Sequence, residues 1–184
     1  MNGKPPPYSL ILNLTSMDTQ KITHKSRPVI TQVENNTATW IGHLQTDPTD
    51  HFAGQTFRCP VNGELDNIQV LSADVQTPGE IVLSLHRFDE GIKTWGPELA
   101  SARVYVQKND INRWLCFKLP PMPMHREEIY GFRLCAKSAM IALGEAAAGE
   151  PNSFPGEEWH ADSEDLDGHY YHYFSLTFKV EMLA

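Results

Sequence analysis

Apolar and polar residues alternate one for one along six runs of this chain, and that period of two fits a strand with one buried face and excludes an amphipathic helix. Ile81, Leu83 and Leu85 interleave with Val82, Ser84 and His86. Leu115, Phe117 and Leu119 interleave with Trp114, Cys116 and Lys118, and Tyr130, Phe132 and Leu134 with Gly131, Arg133 and Cys135. Ile68 and Val70, Ala102 to Val106, and Phe174 to Val180 repeat the pattern. Turn-forming pairs punctuate the runs: Asn62-Gly63, Pro78-Gly79, Glu90-Gly91, Gly96-Pro97, Asn109-Asp110 and Pro120-Pro121. Short alternating strands at even spacing with such breaks predict an all-β, antiparallel sandwich or barrel. The 184 residues bound this to one domain with an extension.

The boundary is placed at residue 40. Residues 1–40 are less regular and read as an N-terminal arm, packed on a sandwich of residues 41–184 or supplying its outer strands. Within the arm, Tyr8 to Leu14 and Pro28 to Val33 have strand character. Late in the chain, Met140 to Leu143 reads as a strand and Glu145 to Ala148 as a loop or single turn.

Charge removes some function classes. The formal net charge of -8 lacks the basic footprint of a nucleic-acid binder and is repelled by an anionic membrane. The short apolar run Leu10-Ile11-Leu12 is broken by Asn13 and followed by no small-residue cleavage site. It does not make a signal peptide, so the compartment expected is cytoplasmic, or extracellular for a chain already trimmed. The three cysteines, Cys59, Cys116 and Cys135, are odd in number and widely spaced, and are expected as free thiols. Cys116 and Cys135 lie in strand-like runs where a pair can also form.

From about Gly54 to Val180 the pieces follow a recognisable order. Gly54-Gln55-Thr56-Phe57 precedes Gly63-Glu64-Leu65; Gly96-Pro97-Glu98-Leu99-Ala100-Ser101-Ala102 follows; then come Trp114 to Phe117 and Glu128 to Leu134. Phe154-Pro155-Gly156 and Ser175 to Val180 close the series. In this order the chain resembles galactose-binding-like, jelly-roll β-sandwich accessory domains. The resemblance implies a jelly-roll sandwich and a non-catalytic, carbohydrate-binding role. One departure is Ser175, where such domains often carry an Asp, and it bears on any structural cation site.

The candidate binding residues are aromatic. Tyr171 and Tyr173 share a strand face with His169, opposite Tyr170, His172 and Phe174. Tyr105 and Trp114 fall on the non-core side of their runs, near Arg103 and Lys118. Trp159 sits in a loop expected at one end of the sandwich. Flat rings beside polar groups suit sugar: the ring covers the apolar C–H patch and the polar groups bond the hydroxyls. Rings that cover the outer sheet or fill space under the arm account for the same positions.

Residues 157–167 hold six carboxylates and no Lys or Arg. Asp162, Asp165 and Asp167 with His169 are the metal candidates, calcium being the cation that crowded loop carboxylates suit. The Asp165-Leu166-Asp167-Gly168 stretch is not an EF-hand, because its closing bidentate Glu is missing. A solvated acidic loop explains these residues without a cofactor. His160, His169 and His172 invite zinc or copper, but adjacent strand positions send His169 and His172 to opposite faces unless the chain bends at Gly168. GxSxG, HExxH and glycine-rich phosphate loops are absent from the sequence. The leading expectation is therefore a non-catalytic carbohydrate-binding module, with no cofactor. The alternatives are a structural or protein-interaction subunit of a larger assembly and, more weakly, a metal-dependent hydrolase.

Overall fold

The alternating runs become strands because each can bury one set of side chains and pair both backbone edges. The structure, a computed structural model, describes residues 25–43, 46–148 and 156–183. Its strands are β1 (Ser26–Gln32), β2 (Thr37–His43), β3 (Asp50–Arg58), β4 (Gly63–Thr77), β5 (Gly79–Asp89), β6 (Thr94–Val106) and β7 (Arg113–Met124). They continue as β8 (Ile129–Ala136), β9 (Met140–Ala147), β10 (Glu158–Asp162), β11 (His169–Tyr171), β12 (Phe174–Leu176) and β13 (Phe178–Leu183). All strand pairings are antiparallel, and the described residues include no helix. The fold is all-β and sandwich-like, as the alternation predicts.

The main path of neighbours runs β1-β13-β4-β9-β2-β3-β8-β5-β6. β7 joins at β4, β12 at β9, and β10 at β3, with β11 beyond it. The sheet folds over its own core. Phe178 of β13 meets Phe57 of β3 at 6.2 Å and Phe132 of β8 at 5.5 Å between ring centroids. Ile68, Ile81, Leu83, Leu85, Phe117, Phe132, Leu134 and Val180 are completely buried around them. Each such side chain withdrawn from water contributes about 1.5–3 kcal/mol, which is why the inward set is the apolar one.

The first described strands belong to this sheet. β1 pairs with β13 from Ser26↔Leu183 to Gln32↔Phe178. β2 lies inside the path, bonded to β9 over Thr37–Gly42 and to β3 at Gly42 and His43. The strand expected within residues 8–14 lies outside the described residues. The loop expected at 145–148 is largely strand, since β9 continues to Ala147 by pairing Glu145 with Thr37 and Leu176. All three cysteines are free.

Candidate functional site

β10 carries the chemistry of this molecule on both of its faces. Its register sets Trp159 opposite Gly54 of β3 and Tyr170 of β11. Gly54 in turn opposes Arg133 of β8, which opposes Ser84 of β5. A single row therefore crosses five strands on the outer side of the sheet: Ser84, Arg133, Gly54, Trp159 and Tyr170. The residues between them along each strand, such as Leu83, Leu134 and Ala53, are buried in the core.

Two indoles seat where the sheet is bare, one on this row and one on the next row of the same face. A Cβ at Gly54 would lie 3.1 Å from Trp159 Cε3, and one at Gly131 would lie 2.6 Å from Trp95 Cζ3. The rings meet each other edge-on, with centroids 5.5 Å apart and planes at 66°. The Arg133 guanidinium lies 5.4 Å from the Trp95 ring and 5.6 Å from the Trp159 ring. Burial against these rings lowers its pKa, so it has lost part of its water shell. Among the described residues it makes no hydrogen bond or ion pair. Its neighbour Lys93, by contrast, is bound to the Glu157 carboxylate and lies over the Tyr170 ring.

Around this cation runs a groove. One part, about 300 Å³, is lined by Phe52, Ser84, Arg133, Cys135, Trp159 and Leu166. The adjoining part, about 650 Å³, shares Arg133 and Leu166 and adds Lys93, Trp95, Asp167 and Tyr170. Leu166 overhangs both from the loop between β10 and β11. Two of the acids expected as metal ligands, Asp162 and Asp165, hold this loop's backbone. Asp162 Oδ1 accepts from the N–H groups of Glu164 and Asp165, both at 2.8 Å. Asp165 Oδ1 accepts from Gly168 N at 3.2 Å, and the Asp167 carbonyl accepts from Trp159 Nε1 at 2.9 Å. His169 is exposed, 3.6 Å from Asp165.

The expected aromatic set divides. Trp159 forms the wall of the groove with 2% of its surface exposed. Tyr171 opposes Glu158 and so lies on the other face, its ring 5.1 Å from His160. Tyr173 and Tyr105 are exposed. Tyr105 pairs with Glu80, four residues along β5 from Ser84 and so about 13 Å away along the strand. Trp114 lies on β7 beneath the Lys179 ammonium, 4.0 Å from the ring centroid. Trp95 and Arg133, on the other hand, belong to the groove. Gly131 inside an alternating run was the available signal, because a strand glycine marks a close approach.

On the inner face of β10, Glu158 and His160 meet Glu145 of β9. One ligand-type atom from each lies within 4.8 Å of the others. His160 Nε2 is 2.6 Å from Glu158 Oε1 and 3.6 Å from Glu145 Oε2. Burial opposes charge on His160, but its bonds to Glu145 and Glu158 outweigh that and raise its pKa. Burial also raises Glu158. An imidazole nitrogen with two carboxylates can share protons or hold a cation. Glu145 is the residue missed by reading 145–148 as a loop. No family model matches this chain, and comparison with curated proteins finds no match.

Proposed function

We propose that this chain is a non-catalytic binding module of the galactose-binding-like, jelly-roll kind, and that its outer groove takes a neutral carbohydrate. The observation that carries the reading is Arg133: a half-buried guanidinium with no hydrogen-bond or ion-pair partner among the described residues, set beside two indoles in a groove. A pyranose matches such a place. Its C–H face covers apolar ring surface, and its hydroxyls accept from the five N–H donors of the guanidinium. Trp95, Phe52, Leu166 and Tyr170 supply the apolar lining, and Ser84 a further hydroxyl.

A glycan array followed by calorimetry with neutral oligosaccharides tests this. Wild-type protein is expected to bind at millimolar concentration or better. Arg133→Met keeps the aliphatic stem against the indoles and removes the donors. Hydrogen bonds to a charged group contribute about 1.5–3 kcal/mol, so the variant should bind about 10- to 100-fold more weakly. Tyr105→Ala, outside the groove, is expected to bind as wild type. No binding at millimolar sugar, or full binding by Arg133→Met, overturns the proposal.

One observation favours a second reading, a protein-interaction subunit. Ile92 and Leu166, on the lips of the same groove, are 71% and 66% exposed. A partner's apolar side chain would cover them. Light scattering that shows a defined assembly, lost in the Ile92→Ser, Leu166→Ser double variant, would select it.

A further inference from the structure

We infer that Glu145, Glu158 and His160 form a site for one divalent transition-metal ion of the zinc class. The donor set points to that class. One imidazole nitrogen and two carboxylate oxygens suit a borderline-soft ion, whereas calcium takes six to eight oxygens. The spacing fits as well. Ligand bonds of about 2.0–2.2 Å in a tetrahedron put ligand atoms roughly 3.3 Å apart. His160 Nε2 and Glu145 Oε2 stand 3.6 Å apart, close to that separation. His160 Nε2 and Glu158 Oε1, at 2.6 Å, would open by roughly 0.7 Å to admit the ion.

An independent feature shows that the site lacks a partner. Glu158 has no exposed surface, and its second oxygen, Oε2, has no hydrogen-bond partner. A buried carboxylate oxygen without a donor is costly, by about 1–3 kcal/mol or more. Glu145 is buried too, and among the described residues the only cationic group paired with either acid is His160. Two buried carboxyl groups facing one imidazole offer a divalent ion three ligand atoms in one place. His160 keeps 32% of its side chain exposed, which gives an ion a way in, and a water would complete a four-coordinate set. The ion would tie β10 to β9 directly behind Trp159. It rests on the inner face of β10 and is independent of the groove and its ligand.

The full chain, free of any histidine tag and stripped with a chelator, is titrated with zinc alone by calorimetry. Cobalt(II) is then used as a spectroscopic substitute. One ion per chain and a visible cobalt band of four-coordinate type are expected. Changing a second-shell partner typically costs 10- to 100-fold in affinity, so Glu145→Gln and His160→Gln, which remove a ligand, should each cost about 100-fold or more. Asp165→Asn and Asp167→Asn, in the neighbouring acidic loop, should bind as wild type. Circular dichroism checks that each variant is folded; if one triad variant is not, the cobalt spectrum of wild type and the other variant still decide. Absence of saturable binding to folded wild type overturns the inference. So does loss of binding in the loop variants with full binding in the triad variants.

Discussion

His86 shows how one residue can make the groove sensitive to acid. It is 3% exposed, its Nδ1–H donates to the Gly96 carbonyl at 2.9 Å, and Nε2 lies 2.9 Å from Ser84 Oγ. Its ring meets Trp95 edge-on at 5.8 Å. Burial pushes its pKa below the ordinary 6.5; nearby Arg133 pushes the same way, while the Gly96 bond and Glu98 oppose it. A depressed imidazole pKa means that the unfolded chain binds the proton better. Stability is therefore complete above about pH 6.5 and falls as the pH drops below it, until the folded-state pKa is passed. Urea midpoints measured from pH 7.5 to 5 should decline, and His86→Gln should flatten that part of the profile. In the sequence His86 is simply a polar member of an alternating run. Nothing there distinguishes a solvent-facing position from one roofed by an indole that arrives from the next strand, and for the same reason Arg133 did not stand out.

Among the elements, legibility follows how many faces a strand exposes. β5 buries one face and shows clean alternation, and its inward Ile81, Leu83 and Leu85 are the ones the pattern selects. β9 is buried on both faces as far as Ala146, so its sequence MIALGEAA carries no period and its alanines read as helix or loop. That is how Glu145 escaped notice. β11 and β12 are three residues each, too short for any period, and the bend between them parts Tyr171 from Tyr173, which a continuous strand would have kept on one face. The turn into β11 depends on Gly168, whose φ is +64°, and a Cβ there would lie 2.3 Å from the His160 carbonyl oxygen. A side chain in that left-handed conformation costs about 1–2 kcal/mol before the clash is counted. Gly168→Val should lower unfolding free energy by about 2 kcal/mol or more. Because the turn also carries Asp167 to Trp159 Nε1, the near-ultraviolet dichroism of the tryptophans should change with it.

Across the whole molecule, the ends of the described chain are held together: β1 pairs with β13, and β2 lies between β9 and β3. A sandwich that closed through β3 onward alone would fold without residues 1–49. The pairing scheme predicts otherwise. Removing residues 1–49 would strip the Thr37–Gly42 partner from β9, leave that row of backbone N–H and C=O groups open, and delete the completely buried Ile41. Loss of one large buried aliphatic side chain alone costs about 2–5 kcal/mol, and a domain's whole stability is about 5–15 kcal/mol. The open edge adds a template for association with a second chain. The shortened chain should therefore lose cooperative urea unfolding and aggregate, while Ile41→Ala in the full chain should remain folded with a midpoint lowered in proportion to its cavity. A truncated chain that unfolds cooperatively with the wild-type midpoint would show that β2 is dispensable, and that the sandwich closes through β3, β4 and β9 without it.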